Sequence, residues 1–124
     1  DQVLTLGGRV FEKPADLAEA RAHLIDLRAR DHQLWSAVTL ASNGHVSWSV
    51  LTEAQLTMRA FTASFLDAYL ARLGARALES VGAYQLEGLG LQLFERIDGD
   101  YFTILGLPLL PLLGELRSRG ILTA

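Results

Sequence analysis

Asp1 and Gln2 place a carboxylate and an amide at the mouth of a short apolar run, Val3-Leu4-Thr5-Leu6. Gly7-Gly8 then turns the chain, and Lys13 follows the return segment Arg9-Val10-Phe11. In a hairpin, Asp1 and Lys13 come back to the same end. That juxtaposes a general base with a cation, a pairing suited to chemistry on phosphate. The plainer alternative makes Asp1 a terminal residue without a role and Lys13 a solvated residue ahead of the helix-starting Pro14. The sequence opens at Asp1 without an initiator Met, so an upstream segment is expected.

Composition narrows what such a site could serve. With 124 residues, half of them hydrophobic, the chain is expected to form one domain, 1–124, with a real core. The net charge is −3 and the basic residues are scattered, so no basic stripe of the kind a nucleic-acid groove needs is present. The longest apolar run, residues 104–113, is too short for a membrane span and contains Gly106, Pro108 and Pro111. Nucleic acid and membrane are therefore not expected as partners. Cysteine is absent, which excludes disulfides, thiolate metal ligation and thiol catalysis and fits a cytoplasmic protein. The histidines His23, His32 and His45 lie too far apart for a spaced metal motif.

The elements that must position the site can be read from pattern. Residues 3–6 and 9–11 form a hairpin about Gly7-Gly8. A helix follows Pro14, with Leu17, Ala20, Leu24 and Leu27 at helical spacing, Asp16 and Glu19 in its first turn, and Arg28 and Arg30 in its last. Alternation from His32 to Leu40 predicts a strand, and Asn43-Gly44 turns it into a return arm over residues 46–61, interrupted near Thr52-Glu53. Trp35 and Trp48 are then expected to face each other across this hairpin. Thr62 or Ser64 caps a second helix that ends at Gly74. Gly82, Gly88 and Gly90 mark a loop whose backbone approaches something closely. Residues 91–97 and 100–105 read as strands about Asp98-Gly99. Glu95, Asp98 and Asp100 read as a solvated hairpin, with Asp100 able to cap the turn that follows. Pro108 opens a last helix, with Gly120 past its end. The pattern gives an α/β fold, a mixed central β-sheet with flanking helices.

Taken in order, these residues resemble a known family. Asp1-Gln2 precedes a hydrophobic strand and Gly, and Lys13-Pro14 precedes a helix. A long Asn43-Gly44 hairpin follows, then a Gly82-Ala83-Tyr84 loop running to Glu87-Gly88. Phe94-Glu95-Arg96-Ile97, Gly99-Asp100-Tyr101 and Gly106-Leu107-Pro108 complete the set. The order is similar to that of the Maf family, nucleoside triphosphate pyrophosphatases first linked to septum formation. The resemblance covers essentially the whole chain and implies a Maf/ITPase-like fold lacking its N-terminal strand, loop and helix, that is, the C-terminal two-thirds of a Maf-like domain. It implies hydrolysis of a nucleoside triphosphate, modified or pyrimidine, to monophosphate and pyrophosphate, with a divalent metal cation, Mg²⁺ or Mn²⁺. By position, Asp1 matches the catalytic general base, Gln2 a residue that helps set base specificity, and Lys13 the lysine of the Lys-Pro motif. A homodimer is compatible with the family and with the apolar hairpin.

Two stretches depart from the family pattern. Its loop commonly reads Lys-Ala-Gly-Ala-Tyr, where this chain has Ser80-Val81-Gly82-Ala83-Tyr84, and commonly closes on Gln-Gly, where this chain has Glu87-Gly88. A glutamine donates and accepts, whereas an ionised glutamate only accepts. Glu87 is therefore a candidate for ligand contact, set against a surface loop glutamate, and base preference is expected to differ. Ser36 and His32 are weaker candidates for lining the site. The same departures motivate a second reading, a non-catalytic nucleotide-binding regulator that keeps the fold.

Overall fold

The computed structural model describes residues 2–123. Five strands form one sheet in the order β2-β1-β3-β4-β5: β1 is Gln2–Leu6, β2 Arg9–Phe11, β3 Asp31–Ser42, β4 His45–Met58 and β5 Phe94–Asp98. Every described pairing is antiparallel. Helices α1 (Leu17–Leu27), α2 (Ala63–Leu73), α3 (Tyr101–Leu105) and α4 (Leu109–Ser118) accompany it. The α/β class with a central sheet and flanking helices is thus the observed one, although among the described residues the sheet is antiparallel and not mixed.

Both hairpins turn where the glycines are. Gly7 and Gly8 have φ of 54° and 85°, and Asn43 and Gly44 have 52° and 77°. Positive φ at both central residues matches the right-handed twist of the flanking strands. β4 runs unbroken through Thr52-Glu53; the irregularity lies at Ser47, where the register passes from Leu40 opposite Trp48 to Ala41 opposite Val46. Trp35 faces Glu53 and Trp48 faces Leu40, so the two indoles are not partners.

Side chains alternate across the sheet. One buried row, Phe11–Leu4–Leu34–Ala54, crosses four strands, and His32–Leu56–Ile97 forms the next. On this face α1 buries Ala20, His23, Leu24 and Leu27, and α2 buries Leu66, Tyr69, Leu70 and Leu73. Asp16 caps α1 by accepting from the Glu19 amide at 2.8 Å, so that helix starts at Leu17 and ends before Arg28 and Arg30. Thr62 caps α2, its Oγ1 accepting from the Phe65 amide at 3.0 Å, and Gly74 ends it with φ of 55°.

The expected strand over 100–105 is a helix. Asp100 Oδ2 accepts from the Thr103 amide at 3.0 Å and starts α3, and Gly106 closes it in the left-handed region. Residues Leu89–Leu93 form a 3₁₀ turn, so β5 begins only at Phe94. α4 begins after Pro108 as expected but buries none of its side chains. No helix among the described residues is long and apolar enough to cross a membrane.

Candidate active site

The row beside Leu4–Leu34–Ala54 on the same face is polar: Gln2, Ser36 and Thr52 stand opposite one another on β1, β3 and β4. Thr103 of α3 sits on this row. Gln2 Nε2 donates to the carbonyls of Ile104 at 2.7 Å and Thr103 at 3.3 Å. Ser36 Oγ donates to the Thr103 carbonyl at 2.7 Å, and the Thr52 and Thr103 hydroxyls are 2.9 Å apart. The last carbonyls of a helix have no partner within it. Three sheet side chains thus hold the carboxyl end of α3, which places Leu105 and Gly106 against the mouth of β1.

A second anchored segment faces this one. Ser80-Val81-Gly82-Ala83 forms a tight turn, the Ala83 amide donating to the Ser80 carbonyl at 3.2 Å. Gly82 has φ of +78°, and a Cβ there would lie 2.5 Å from Tyr84 Cε2 and 2.8 Å from Leu4 Cδ1, so both the conformation and the space demand glycine. The Tyr69 hydroxyl donates to the Ala83 carbonyl at 2.8 Å. The Tyr84 hydroxyl meets His32 Nε2 at 2.8 Å in the core. Beyond this anchor the Gly88 amide donates to the Gln85 carbonyl at 3.1 Å, which makes Leu86 and Glu87 the corner of a turn. Gly90 packs so closely on Gln85 that a Cβ would lie 2.5 Å from its carbonyl oxygen.

Between the two anchored segments lies a cleft. Its larger part, about 320 Å³, is lined by Gln2 and Lys13 on one side, Glu79, Ser80 and Val81 on another, and Leu105-Gly106 on the third. A smaller recess of about 60 Å³ shares Gln2, Ser80, Val81 and Leu105 and continues to Gln85 and Glu87. The combined size is that of a small-molecule site. The Lys13 ammonium and the Glu79 carboxylate line its larger part and the Glu87 carboxylate its smaller recess, with Gln2 common to both. All three charged side chains are exposed.

The sequence candidates fall out unevenly. Gln2, Lys13 and Glu87 line this one cleft, although they come from distant parts of the chain. Asp1 lies outside the described residues. Ser36 is fully buried and holds α3, and His32 is fully buried and holds Tyr84; neither lines the cleft. Asp98 lies 3.9 Å from Arg96 and Asp100 caps α3, so the acidic run is not a metal cluster. Glu79 was not singled out by sequence. It accepts from Gln85 Nε2 at 3.2 Å, and its place just before Ser80 was the available signal.

A hard divalent cation takes carboxylate oxygens. Among the described residues no group of three or more His, Asp or Glu converges in a way that could hold one. Glu79 and Glu87 enter the cleft singly, so the described residues do not by themselves compose a metal centre.

Burial sets the protonation of the anchors. His32 is lowered from its ordinary value of 6.5 to about 4, chiefly by desolvation and against the opposing pull of Asp31. Burial raises the hydroxyls of Tyr69 and Tyr84 far above the usual tyrosine range. At neutral pH all three are uncharged hydrogen-bonding groups, and the cleft's charges belong to its rim.

The fold and the cleft together define an α/β protein with a substrate-sized site on one face of an antiparallel sheet. The profile of the Maf-like protein family matches residues 1–119, and the chain belongs to that family. It is 60% identical over 120 residues to a 7-methyl-GTP pyrophosphatase of Rhizobium johnstonii, covering 97% of this chain and 60% of the relative. It is 54% identical over 124 residues to the protein of the same name in Rhizobium meliloti, covering 100% of this chain and 62% of the relative. A nucleoside triphosphate pyrophosphatase of Hyphomonas neptunium is 51% identical over 122 residues, covering 98% of this chain and 62% of the relative. The chain thus spans about 60% of the length of the curated relatives it matches.

Proposed function

We propose that the protein carrying this chain is a nucleoside triphosphate pyrophosphatase that releases monophosphate and pyrophosphate, acting on modified triphosphates in the nucleotide pool of the cytoplasm. The observation that carries this reading is the cleft, on which Gln2, Lys13 and Glu87 converge from separate elements. The names of the relatives support the reaction type, and 7-methyl-GTP in the names of both Rhizobium relatives supports a modified base over a pyrimidine. Residues 1–124 are read as the C-terminal two-thirds of one Maf-like domain, acting as a homodimer; exposed Val46 and Leu51 on β4 offer apolar surface for that contact.

In this reading Lys13 binds the phosphate end, where its charge offsets that of the triphosphate. Gln2 and Glu87 contact the base. Asp1, which precedes Gln2 in the sequence, is the general base that takes a proton from the attacking water. The divalent cation is proposed to be held largely by the triphosphate oxygens, with one or two protein carboxylates, the usual arrangement for Mg²⁺.

The test is pyrophosphate release by the full-length protein over a panel of canonical and modified triphosphates with Mg²⁺ and Mn²⁺. Asp1→Asn is expected to lower turnover by about a hundredfold or more while nucleotide binding persists. Binding without turnover of any triphosphate would transfer the assignment to the non-catalytic regulator.

A further inference from the structure

A second groove, of about 140 Å³, runs between α2 and the 3₁₀ turn Leu89–Leu93 and shares no lining residue with the cleft. Phe65, Ala68, Tyr69 and Arg72 stand at i, i+3, i+4 and i+7, so one face of α2 supplies one wall, and Leu89 and Gln92 supply the other. The Phe65 and Tyr69 rings lie 11° from parallel with centroids 6.5 Å apart. The Tyr69 hydroxyl is committed to the Ala83 carbonyl, so this wall is apolar as far as Arg72. Arginines surround the groove. Arg59 sets its guanidinium 4.4 Å from the centre of the Phe65 ring and donates through Nε to the Gln92 carbonyl at 2.6 Å. Arg76, one turn beyond Arg72, lines an adjoining recess that has Leu89 in common with the groove. Like charges one turn apart repel. Among the described residues the arginine ion pairs are those of Arg9, Arg21, Arg96 and Arg119, which leaves Arg59, Arg72 and Arg76 without a carboxylate partner. No Asp or Glu lines either the groove or the recess.

We propose that this groove is a second ligand site, for a small molecule that joins one aromatic ring to an anionic group, a phosphate or a carboxylate. An apolar cavity of about 150 Å³ is enough to take up benzene, so the space suits a single ring. Aromatic side chains hold such a ring by stacking or edge contacts, and Phe65 and Tyr69 offer both beside the small Ala68. Arg72 ends this wall with a planar fork of donors, which meets a carboxylate or phosphate with two parallel hydrogen bonds. Arg59 and Arg76 add positive charge around the same groove, and no carboxylate lining it competes for that charge. The site stands apart from the pyrophosphatase reading, which assigns the phosphate end of its substrate to Lys13 and gives no part to α2.

The experiment titrates the full-length protein with phenyl phosphate and with phenylacetate, followed by ligand-observed NMR, and with inorganic phosphate and benzyl alcohol as probes that carry one feature each. At least one of the two ring-bearing anions is expected to bind saturably, and roughly tenfold or more tighter than either single-feature probe. Whichever of the two binds tighter identifies the anion, and either order supports the proposal. Arg72→Gln removes the fork and Ala68→Leu narrows the space for the ring. Both positions are exposed, so both variants are expected to keep the wild-type urea midpoint. Each should weaken the ring-bearing anion by roughly tenfold. Lys13→Met, which alters the cleft alone, should leave that affinity unchanged. Absence of saturable binding by both ring-bearing anions overturns the proposal. So does inorganic phosphate binding as tightly as they do, or affinity that is kept in Arg72→Gln and lost in Lys13→Met.

Discussion

Lowering the pH should destabilise this protein through His32. Its ring is fully buried, one nitrogen meets the Tyr84 hydroxyl at 2.8 Å, and the other, Nδ1, has no partner. A doubly protonated ring would place a charge in the core with its Nδ1–H facing no acceptor. The folded protein therefore keeps His32 neutral down to about 4, whereas the unfolded chain protonates it near 6.5. Between those values the unfolded state binds more protons, so stability rises with pH. The contribution is fully present above 6.5 and is lost as pH falls through about 4. The whole difference is about 3 kcal/mol, of which about 2 kcal/mol is gone by about pH 5. Unfolding in urea, followed by tryptophan fluorescence at several values from about pH 7.5 to about pH 5, measures this slope. His32→Phe removes the titrating group and leaves the Tyr84 hydroxyl unpaired, so it should start about 1–2 kcal/mol less stable at neutral pH and then lose less on acidification. Other titrating groups are common to both proteins and cancel in the comparison. If the stability difference between wild type and His32→Phe is the same at both ends of the range, the buried-histidine argument is wrong.

Two further perturbations separate the scaffold from the cleft. Gly82→Ala should destabilise by about 2 kcal/mol or more, because it forces a side chain into positive φ against Tyr84 and Leu4; the urea midpoint reads it, and a change below a few tenths of a kcal/mol would contradict the close approach. Lys13→Met, at an exposed position without a salt bridge among the described residues, should leave stability within about 0.5 kcal/mol and raise KM for triphosphates by roughly tenfold or more. A loss of stability with KM unchanged would place Lys13 in the scaffold.

The local devices were legible because each is written in adjacent residues. Gly7-Gly8 and Asn43-Gly44 turn their hairpins because a two-residue turn matching the strand twist needs positive φ at both positions. Thr62 and Gly74 bound α2 because a hydroxyl and a missing Cβ act on their own helix end. The ordered motifs led to the family, and with it to Gln2, Lys13 and Glu87 as candidates. Residues 100–105 misled for an equally local reason. Tyr101, Phe102, Thr103 and Ile104 are good strand formers, but strand preference mostly measures fit to a half-buried sheet surface. Here Asp100 starts a helical turn and Thr103 settles on three polar side chains of the sheet.

By itself the sequence determined the class of the fold, the hairpins and caps, the family, and the residue types available for chemistry, because these depend on short spacings and on ordered motifs. The tertiary structure decided what each polar group has left to offer. It buried Ser36 and His32 as supports, turned the Gln2 amide toward α3, tied Gln85 to Glu79, and left Lys13 and Glu87 lining one cleft. A hydrogen bond between residues about a hundred positions apart, as from Gln2 to Ile104, exists only once the sheet has brought them together, and no local pattern encodes it.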